Sequence, residues 1–196
     1  MDLTQGTQKE KRGRSKKMML WFGIGSLTMS FAALISAFIV SRKQRIDKDW
    51  LSNYELPNAF LISLVVILLS SITFIMAKRA LKQNNIKMTS VWLIVTLALG
   101  IIFIFSQFEG FNELIRNGYY FTGESSNITM TYIYIFVGVH IAHVIAGLIS
   151  IIVVIYNHFK QKYNSNNMLG FELAVNFWHF VDGLWLVLFL FLYFFR

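Results

Sequence analysis

The stretch that decides the fold is residues 174–195, AVNFWHFVDGLWLVLFLFLYFF. It is long and apolar enough to cross a bilayer, because a membrane-spanning helix needs about 20 predominantly apolar residues. It nevertheless carries His179 and Asp182, and a charged side chain at bilayer depth costs roughly 2.5 to 3.5 kcal/mol on the milder insertion scale. These two residues therefore indicate a functional or assembly site that needs polar partners. The nearest candidate partners are His140, His143 and Glu172.

Four further segments have the length and composition of membrane spans. Hydrophobic residues make up 56% of the 196 residues, and the mean hydropathy is +0.55, which is too apolar for a soluble domain of this size. Because lipid offers no hydrogen-bond partner to exposed backbone groups, such spans are helical. The sequence thus predicts an all-α integral membrane bundle of five transmembrane helices, with one membrane domain over residues 18–196. The predicted spans cover approximately residues 18–40, 59–77, 91–108, 131–156 and 174–195.

The net charge of +8 is explained by membrane topology rather than by nucleic-acid binding. The basic residues lie in the N-terminal tail and in the loops, with no interleaved aromatic residues and no soluble fold to present them. Most of them fall on one side of the predicted spans, so the positive-inside rule predicts a cytoplasmic N-terminus and a periplasmic C-terminus. The basic cytoplasmic tail, residues 1–17, is expected to be disordered or to lie on the anionic inner leaflet.

The first span and the cysteine content exclude several classes of protein. The chain has no cysteine, which removes disulfides, iron–sulfur clusters and thiolate metal sites from it. The first apolar run has the length of a span and no small-residue cleavage site, which predicts a retained helix rather than a signal peptide. Its small residues, among them Gly23, Gly25 and Ala33, predict close packing against protein on one side.

Polar residues on the fourth and fifth spans predict that these two helices pack together. On the fifth, one helix face runs from the inner interface to about mid-membrane and carries Glu172, Asn176, His179 and Asp182. On the fourth, His140 and His143 also share a face near mid-depth. We expect at least one histidine to bond to Asp182 or Glu172, and we expect His179 and Asp182 to hold the two helices together.

Three functions are compatible with this constellation. A b-type haem anchor resembling the cytochrome b subunit of succinate dehydrogenase needs histidines at two separate depths, whereas His140 and His143 are about one turn apart. The spacing is compatible with a single haem ligated by His179 and by either His140 or His143. A proton or ion path is the second alternative, without the broken helices and repeats that are typical of transporters. The residue chemistry favours a structural network that fixes helix packing or holds a lipid head group, because buried polar groups are tolerated once paired.

Two motifs on these helices resemble a known family. Residues 138–147, GVHIAHVIAG, are similar to the G-x-H-x-x-H-V-x-x-G motif of subunit III of the haem-copper oxidases. Residues 170–172, GFE, followed by 177–185, FWHFVDGLW, resemble the G-F-E…W-H-F-V-D-x-x-W motif near that family's C-terminus. A glutamine that ends the helix before the long outer loop also matches. The matching residues are Gln107, His140, His143, Glu172, Trp178, His179, Asp182 and Trp185.

The resemblance implies a chain without a redox centre, catalytic residue or metal site of its own. In that family the haems and copper belong to the catalytic subunit I, and the complex reduces oxygen to water in aerobic respiration and pumps protons. Subunit III packs on subunit I, supports proton uptake, holds phospholipids and protects the complex during turnover. The implied location is a bacterial cytoplasmic membrane, with other oxidase subunits as partners and a respiratory supercomplex left open. Arg79 and Lys162, at the inner interface, are candidate contacts for anionic lipid head groups.

The sequence departs from the longer family members in two ways. Those members have seven helices, so this chain resembles the shorter five-helix bacterial form. They also carry a buried carboxyl in the helix that matches the first span, where residues 25–28 here read GSLT. Any role of that carboxyl in proton handling is therefore not transferred. The electron donor, cytochrome c or quinol, is left open, and the b-haem anchor is kept as the alternative function.

Overall fold

The described part of the chain folds into five long helices. The structure, a computed structural model, describes residues 8–45, 51, 56–123, 126–163 and 167–195. Over these residues it contains no strand, and every helix is long and apolar enough to cross a membrane. The predicted all-α fold with five helices of spanning length is thus confirmed. The helices are α1 (Gln8–Arg45), α2 (Asn58–Lys82), α3 (Ile86–Arg116), α4 (Ile128–Phe159) and α5 (Leu169–Phe194).

Each helix begins before the apolar segment that predicted it, and α1 to α4 also end after it. The largest extension is in α1, which begins at Gln8 and so includes residues 8–17 of the basic tail. Six of these ten residues are Lys or Arg, which are good helix formers. The disordered alternative for the tail is therefore wrong from Gln8 onward, and its position on the inner leaflet stays a prediction. Residues 1–7 lie outside the described part of the chain.

Local sequence signals fix where the middle helices begin. Asn85 precedes α3 and its side chain accepts a hydrogen bond from the backbone N–H of Met88 at 3.2 Å. Asn127 precedes α4 and accepts from the N–H of Thr129 at 2.9 Å. Both are N-caps that satisfy an otherwise orphaned donor of the first turn. Pro57 precedes α2, where a missing N–H costs no helical hydrogen bond.

Four of the helices form a closed arrangement around a common core. In it α2 packs on α3, α3 on α4, α4 on α5, and α5 on α2, while α1 lies outside against α4 and α5. The predicted packing of α4 on α5 is confirmed. Because α5 contacts α2, α4 and α1, it has three protein neighbours, which is why its polar residues have more than one helix to pair with.

The contacts of α1 use large residues rather than small ones. Phe31 and Phe38 are buried, and their rings contact aromatic side chains of α4 and α5. Gly23, Gly25 and Ala33 are exposed, and a Cβ added at either glycine would meet nothing within 4 Å. The prediction that this helix packs against protein on one side is therefore confirmed, but within the described part of the chain the contact is made by Phe31 and Phe38 and not by the small residues.

Polar contacts between helix termini show which ends of the helices lie together. Lys78, near the end of α2, lies beside Glu172, near the start of α5. His158, near the end of α4, lies 2.9 Å (Nε2 to Oγ) from Ser90, near the start of α3. The ends of α2 and α4 thus meet the starts of α3 and α5, as alternating spans require. We call this the Lys78 end of the bundle.

Candidate functional site

The ionisable residues of α5 face α2. The hydroxyl of Ser71 donates a hydrogen bond to Oδ2 of Asp182 and lies 2.8 Å from Nδ1 of His179. Two turns along α2, the Nζ atom of Lys78 lies 3.5 Å from Oε1 of Glu172. Ser71 and Lys78 are seven residues apart, as are Glu172 and His179, so each pair shares a helix face. We call these five residues the polar seam.

This arrangement corrects the predicted pairing. Within the described part of the chain, neither carboxylate of α5 is hydrogen-bonded to a histidine, because Asp182 binds Ser71 and Glu172 pairs with Lys78. His179 and Asp182 therefore connect α5 to α2, and the prediction that they hold α4 and α5 together is wrong. A serine within a span commonly bonds to its own helix, whereas Ser71 of α2 bonds to side chains of α5.

Trp178 lies at the point where α2, α3, α4 and α5 meet. It is fully buried, and its indole Nε1 donates to the hydroxyl of Ser70 at 3.2 Å. Its ring lies against two glycines: a Cβ added at Gly100 would be 2.9 Å from Cη2, and one at Gly147 would be 2.8 Å from Cε3. Because real Cβ atoms do not approach so closely, these glycines form a slot that only a bare backbone can provide.

The tryptophan slot explains two of the motif positions together. Gly147 ends the histidine motif of α4, and Trp178 belongs to the C-terminal motif of α5. Gly138, which begins the histidine motif, is exposed and has nothing within 4 Å of an added Cβ. Gly147 is thus the glycine of this motif that the packing within the chain requires.

His140 packs as a buried aromatic side chain. Its ring stacks on Trp185 with centroids 5.0 Å apart and an interplanar angle of 23°. The ring of Phe103 meets the His140 ring at 5.8 Å and that of Trp185 at 5.6 Å, both edge-on. His140 and Trp185 are each 0% exposed. Enclosure by aromatic rings is typical of a core residue rather than of an axial ligand that faces an open slot.

His143 points towards a different neighbour. Its Nδ1 donates to the backbone carbonyl of Val139 at 2.7 Å, and its ring meets Phe31 of α1 edge-on at 5.7 Å. The two histidines of the α4 motif therefore serve separate contacts, since His140 packs in the four-helix core and His143 packs against α1.

Gln107 joins α3 to α2. Its Nε2 donates to the hydroxyl of Ser63 at 2.7 Å, and that hydroxyl donates to the carbonyl of Phe60 at 2.8 Å. Both Gln107 and Ser63 are 0% exposed. One turn later, a Cβ at Gly110 would collide with the Phe60 ring, so the glycine allows the two helices to approach.

The two candidate lipid contacts lie at the Lys78 end. Arg79 is exposed in the last turn of α2, and Lys162 is exposed just after α4 ends. Among the residues that the structure describes, no group of three or more His, Asp or Glu side chains is arranged to hold a metal ion.

The site residues that the sequence did not predict lie on α2 and α3. Ser63 and Ser70 are seven residues apart and both face the core, where they accept from Gln107 and Trp178. This regular spacing was the available signal, since serines at i and i+7 share one helix face. The residues missed are Ser63, Ser70, Ser71, Lys78 and Gly100.

A helical bundle that buries its polar side chains between spans of this length defines a multi-pass membrane protein. The model of the family described as cytochrome c oxidase subunit III matches residues 11–196, and this chain belongs to that family. The resemblance found in the two motifs is thereby confirmed.

Relatives from several bacteria are similar over most of their length. Cytochrome c oxidase subunit 3 of Alkalihalophilus pseudofirmus is 30% identical over 181 residues, which are 92% of this chain and 87% of that protein. Cytochrome bo(3) ubiquinol oxidase subunit 3 of Buchnera aphidicola subsp. Baizongia pistaciae is 29% identical over 184 residues, 92% of each chain. Cytochrome c oxidase subunit 3 of Corynebacterium diphtheriae is 29% identical over 170 residues, 85% of this chain and 81% of that one.

Membership of the family has direct consequences for this chain. A subunit III is one component of an oxidoreductase complex, so its partners include other subunits of an oxidase. The family has no redox cofactor of its own. The bacterial relatives and the five apolar helices together describe a multi-pass bacterial membrane protein.

Proposed function

We propose that this chain is the non-redox subunit III of a bacterial haem-copper terminal oxidase and binds the catalytic subunit I in the cytoplasmic membrane. In this role it supports proton uptake, binds phospholipid and prolongs the active life of the complex during turnover. The observation that carries the proposal is the family match over residues 11–196, within which the two motifs meet in one buried contact between Trp178 and Gly147.

The location of the motif residues supports a role without redox chemistry in this chain. Gln107, His140, Trp178 and Trp185 are 0% exposed and Asp182 is 2% exposed. Side chains so enclosed reach neither a substrate nor a partner directly, and they act by fixing the relative positions of the helices. A subunit built in this way stabilises a neighbouring catalytic subunit by presenting a rigid surface to it.

Co-purification tests the assembly. The chain carries a tag at its N-terminus and is isolated in mild detergent, and mass spectrometry and a reduced-minus-oxidised spectrum then identify its companions. We expect a large many-helix subunit to co-purify, and the haem signal to leave with that subunit when it is stripped away. A b-type haem that remains with the isolated 22.7 kDa chain would refute the proposal and favour the b-haem anchor, which the comparisons do not support.

Replacement of Asp182 tests the contribution of its side chain to assembly of the complex and to its lifetime during turnover. Asp182→Ala leaves the hydroxyl of Ser71 without its carboxylate acceptor, at a cost of roughly 1 to 3 kcal/mol. We expect a lower yield of complex or faster inactivation during turnover. Asn176→Ala, an exposed position on the same helix, is the control. Unchanged yield and inactivation rate for Asp182→Ala would contradict the prediction.

The identity of the electron donor is determined by the whole complex rather than by this chain. The relatives include subunits of cytochrome c oxidases and of ubiquinol oxidases, so the proposed role applies to either donor. Oxidation of reduced cytochrome c and of a quinol by the purified complex distinguishes the two.

The proposed orientation places the Lys78 end in the cytoplasm. It is supported by the basic side chains there, among them Lys82 of α2, through the positive-inside rule. The chain has no cysteine, so single cysteines report sidedness without background from this chain. We expect a membrane-impermeant maleimide to label Arg116→Cys in spheroplasts and Lys82→Cys only after permeabilisation. The reverse pattern would invert the orientation.

Arg79 and Lys162 are proposed to contact anionic phospholipid. Both are exposed at the Lys78 end, where basic side chains meet the head groups of an anionic leaflet. We expect Arg79→Glu or Lys162→Glu to lower the phospholipid retained by the purified complex. Arg116→Glu, an exposed arginine at the other end of α3, is the matched control. Equal phospholipid in all of these complexes would rule out the contact.

A further inference from the structure

One hydroxyl in the polar seam serves two ionisable groups at once. The Oγ atom of Ser71 donates to Oδ2 of Asp182 and is 2.8 Å from Nδ1 of His179. A serine hydroxyl carries one proton and two lone pairs. When it donates to the carboxylate it must accept from Nδ1–H of the imidazole, and when it donates to Nδ1 it must accept from a protonated carboxyl. The three groups therefore form one continuous chain of hydrogen bonds with two allowed directions.

The surroundings of Asp182, Ser71 and His179 favour zero net charge on these three residues, which we call the unit. Asp182 is 2% exposed, and an isolated carboxylate is costly to bury at such a position. The nearest cation of α2, Lys78, is already paired with Glu172 at 3.5 Å. On α4, His140 packs on Trp185, and His143 bonds to its own helix and faces α1. Among the residues that the structure describes, none of these groups neutralises Asp182, and the ionisable group linked to it by hydrogen bonds is His179, through Ser71.

Two further atoms of the unit have no protein partner. Oδ1 of Asp182 and Nε2 of His179 are buried and make no hydrogen bond with the described residues. Buried polar atoms without a protein partner are commonly satisfied by internal water. On the imidazole, Nε2 is thus the atom that gains or loses a proton, because Nδ1 is occupied by Ser71; on the carboxylate, Oδ1 is the atom without such a partner.

We propose that Asp182, Ser71 and His179 form a proton-binding relay, in which one added proton is shared between the carboxylate and the imidazole through the serine hydroxyl. This goes beyond the proposed function, since the proton site belongs to this chain whichever oxidase contains it. The seam leads from the part-exposed Lys78 and Glu172 to Asp182, ten residues or about 15 Å along α5 from Glu172.

The movement of protons in the relay balances without any co-reactant. Before uptake, Nδ1–H of His179 donates to Ser71, Ser71 donates to the Asp182 carboxylate, and Nε2 carries a lone pair. A proton binds at Nε2. The Nδ1–H bond then breaks as a new O–H bond forms on Ser71, and the original serine O–H bond breaks as Oδ2 of Asp182 gains its proton. Proton binding takes the unit from one negative charge to zero net charge. The later transfers move protons within the unit and leave its net charge unchanged.

Infrared and nitrogen magnetic resonance spectra of the assembled complex test the relay. At near-neutral pH we expect a protonated-carboxyl C=O stretching band that is lost in Asp182→Asn and kept in Glu172→Gln, a matched carboxyl of the same seam. An ¹⁵N spectrum that instead shows doubly protonated His179 beside an ionised Asp182 also supports the shared proton. Identical carboxyl bands in wild type and Asp182→Asn, together with a singly protonated His179, would overturn the proposal.

A second pair of variants tests the route through the hydroxyl. Ser71→Ala removes the bridging oxygen, and we expect hydrogen–deuterium exchange at Asp182 to slow, whereas Ser71→Thr keeps the hydroxyl and retains the exchange. Equal exchange in wild type and Ser71→Ala would remove the serine from the relay. Where Asp182→Asn fails to assemble, ¹³C-labelled aspartate in the wild-type complex identifies the same band by its isotope shift. Should the chain not co-purify with an oxidase, the spectra of the full chain in detergent still decide the relay.

Discussion

Gly147→Ala should destabilise the bundle although alanine is the better helix former. The added Cβ would lie 2.8 Å from Cε3 and 3.0 Å from Cζ3 of Trp178. The tryptophan has little freedom to withdraw, because its indole N–H is bonded to Ser70 and its opposite edge lies against Gly100. The clash must therefore be relieved by moving helices rather than one flexible side chain.

The magnitude follows from a comparison of two glycines on the same helix. Gly138→Ala is the matched control, since an added Cβ there meets nothing within 4 Å. The gain in helix propensity is shared by both variants and amounts to about 1 kcal/mol. Overpacking of a well-packed core costs typically about 1 to 3 kcal/mol. We therefore expect Gly147→Ala to be less stable than Gly138→Ala by about 1 to 3 kcal/mol.

Denaturation of the purified chain in mild detergent, titrated with a denaturing detergent and followed by circular dichroism, measures this difference. Trp178→Phe removes the part of the indole ring that the new Cβ would strike, so the double variant should lose less stability than the two single variants combined. Equal midpoints for the Gly147 and Gly138 variants, or strict additivity in the double variant, would refute the proposed slot.

Two contacts at the Lys78 end give contrasting predictions in the same titration. Ser90→Ala removes the hydroxyl that lies 2.9 Å from Nε2 of His158, a residue that is 3% exposed. This change should lower stability by roughly 1 to 3 kcal/mol. The control is Ser30→Ala, which replaces an exposed serine bonded to its own helix and should change stability by less than about 0.5 kcal/mol. Glu172→Gln should cost less than about 1 kcal/mol, because its ion pair with Lys78 is part-exposed. A midpoint for Ser90→Ala equal to that of Ser30→Ala, or a loss for Glu172→Gln as large as that expected for Ser90→Ala, would contradict these assignments.

The polar residues of α5 show where prediction from sequence stops. Their spacing indicates that Glu172 and His179 share a face, and this is a property of a single helix. Which neighbour that face meets depends on how the helix is rotated in the bundle. Trp178 and Trp185 occupy the four-helix core, which turns the ionisable residues towards α2 and away from the histidines of α4.

The serines of α2 are the second case. A hydroxyl in a span has an acceptor on its own helix at every position, so the sequence gives little reason to assign it a partner elsewhere. The structure directs Ser63, Ser70 and Ser71 to Gln107, Trp178 and Asp182. These partners lie 44, 108 and 111 residues away, and no local pattern links them.

Hydropathy and motif order were sufficient to predict the five helices and the family. Both are local properties: an apolar run of spanning length must be helical in lipid, because its backbone groups have no other partners, and a motif keeps its order wherever the helix packs. The pairing of side chains required the tertiary structure, because it depends on how each helix is rotated and on how closely backbones approach. The narrow slot between Gly100 and Gly147 admits Trp178, and the position of that single ring brings Asp182 and His179 to Ser71.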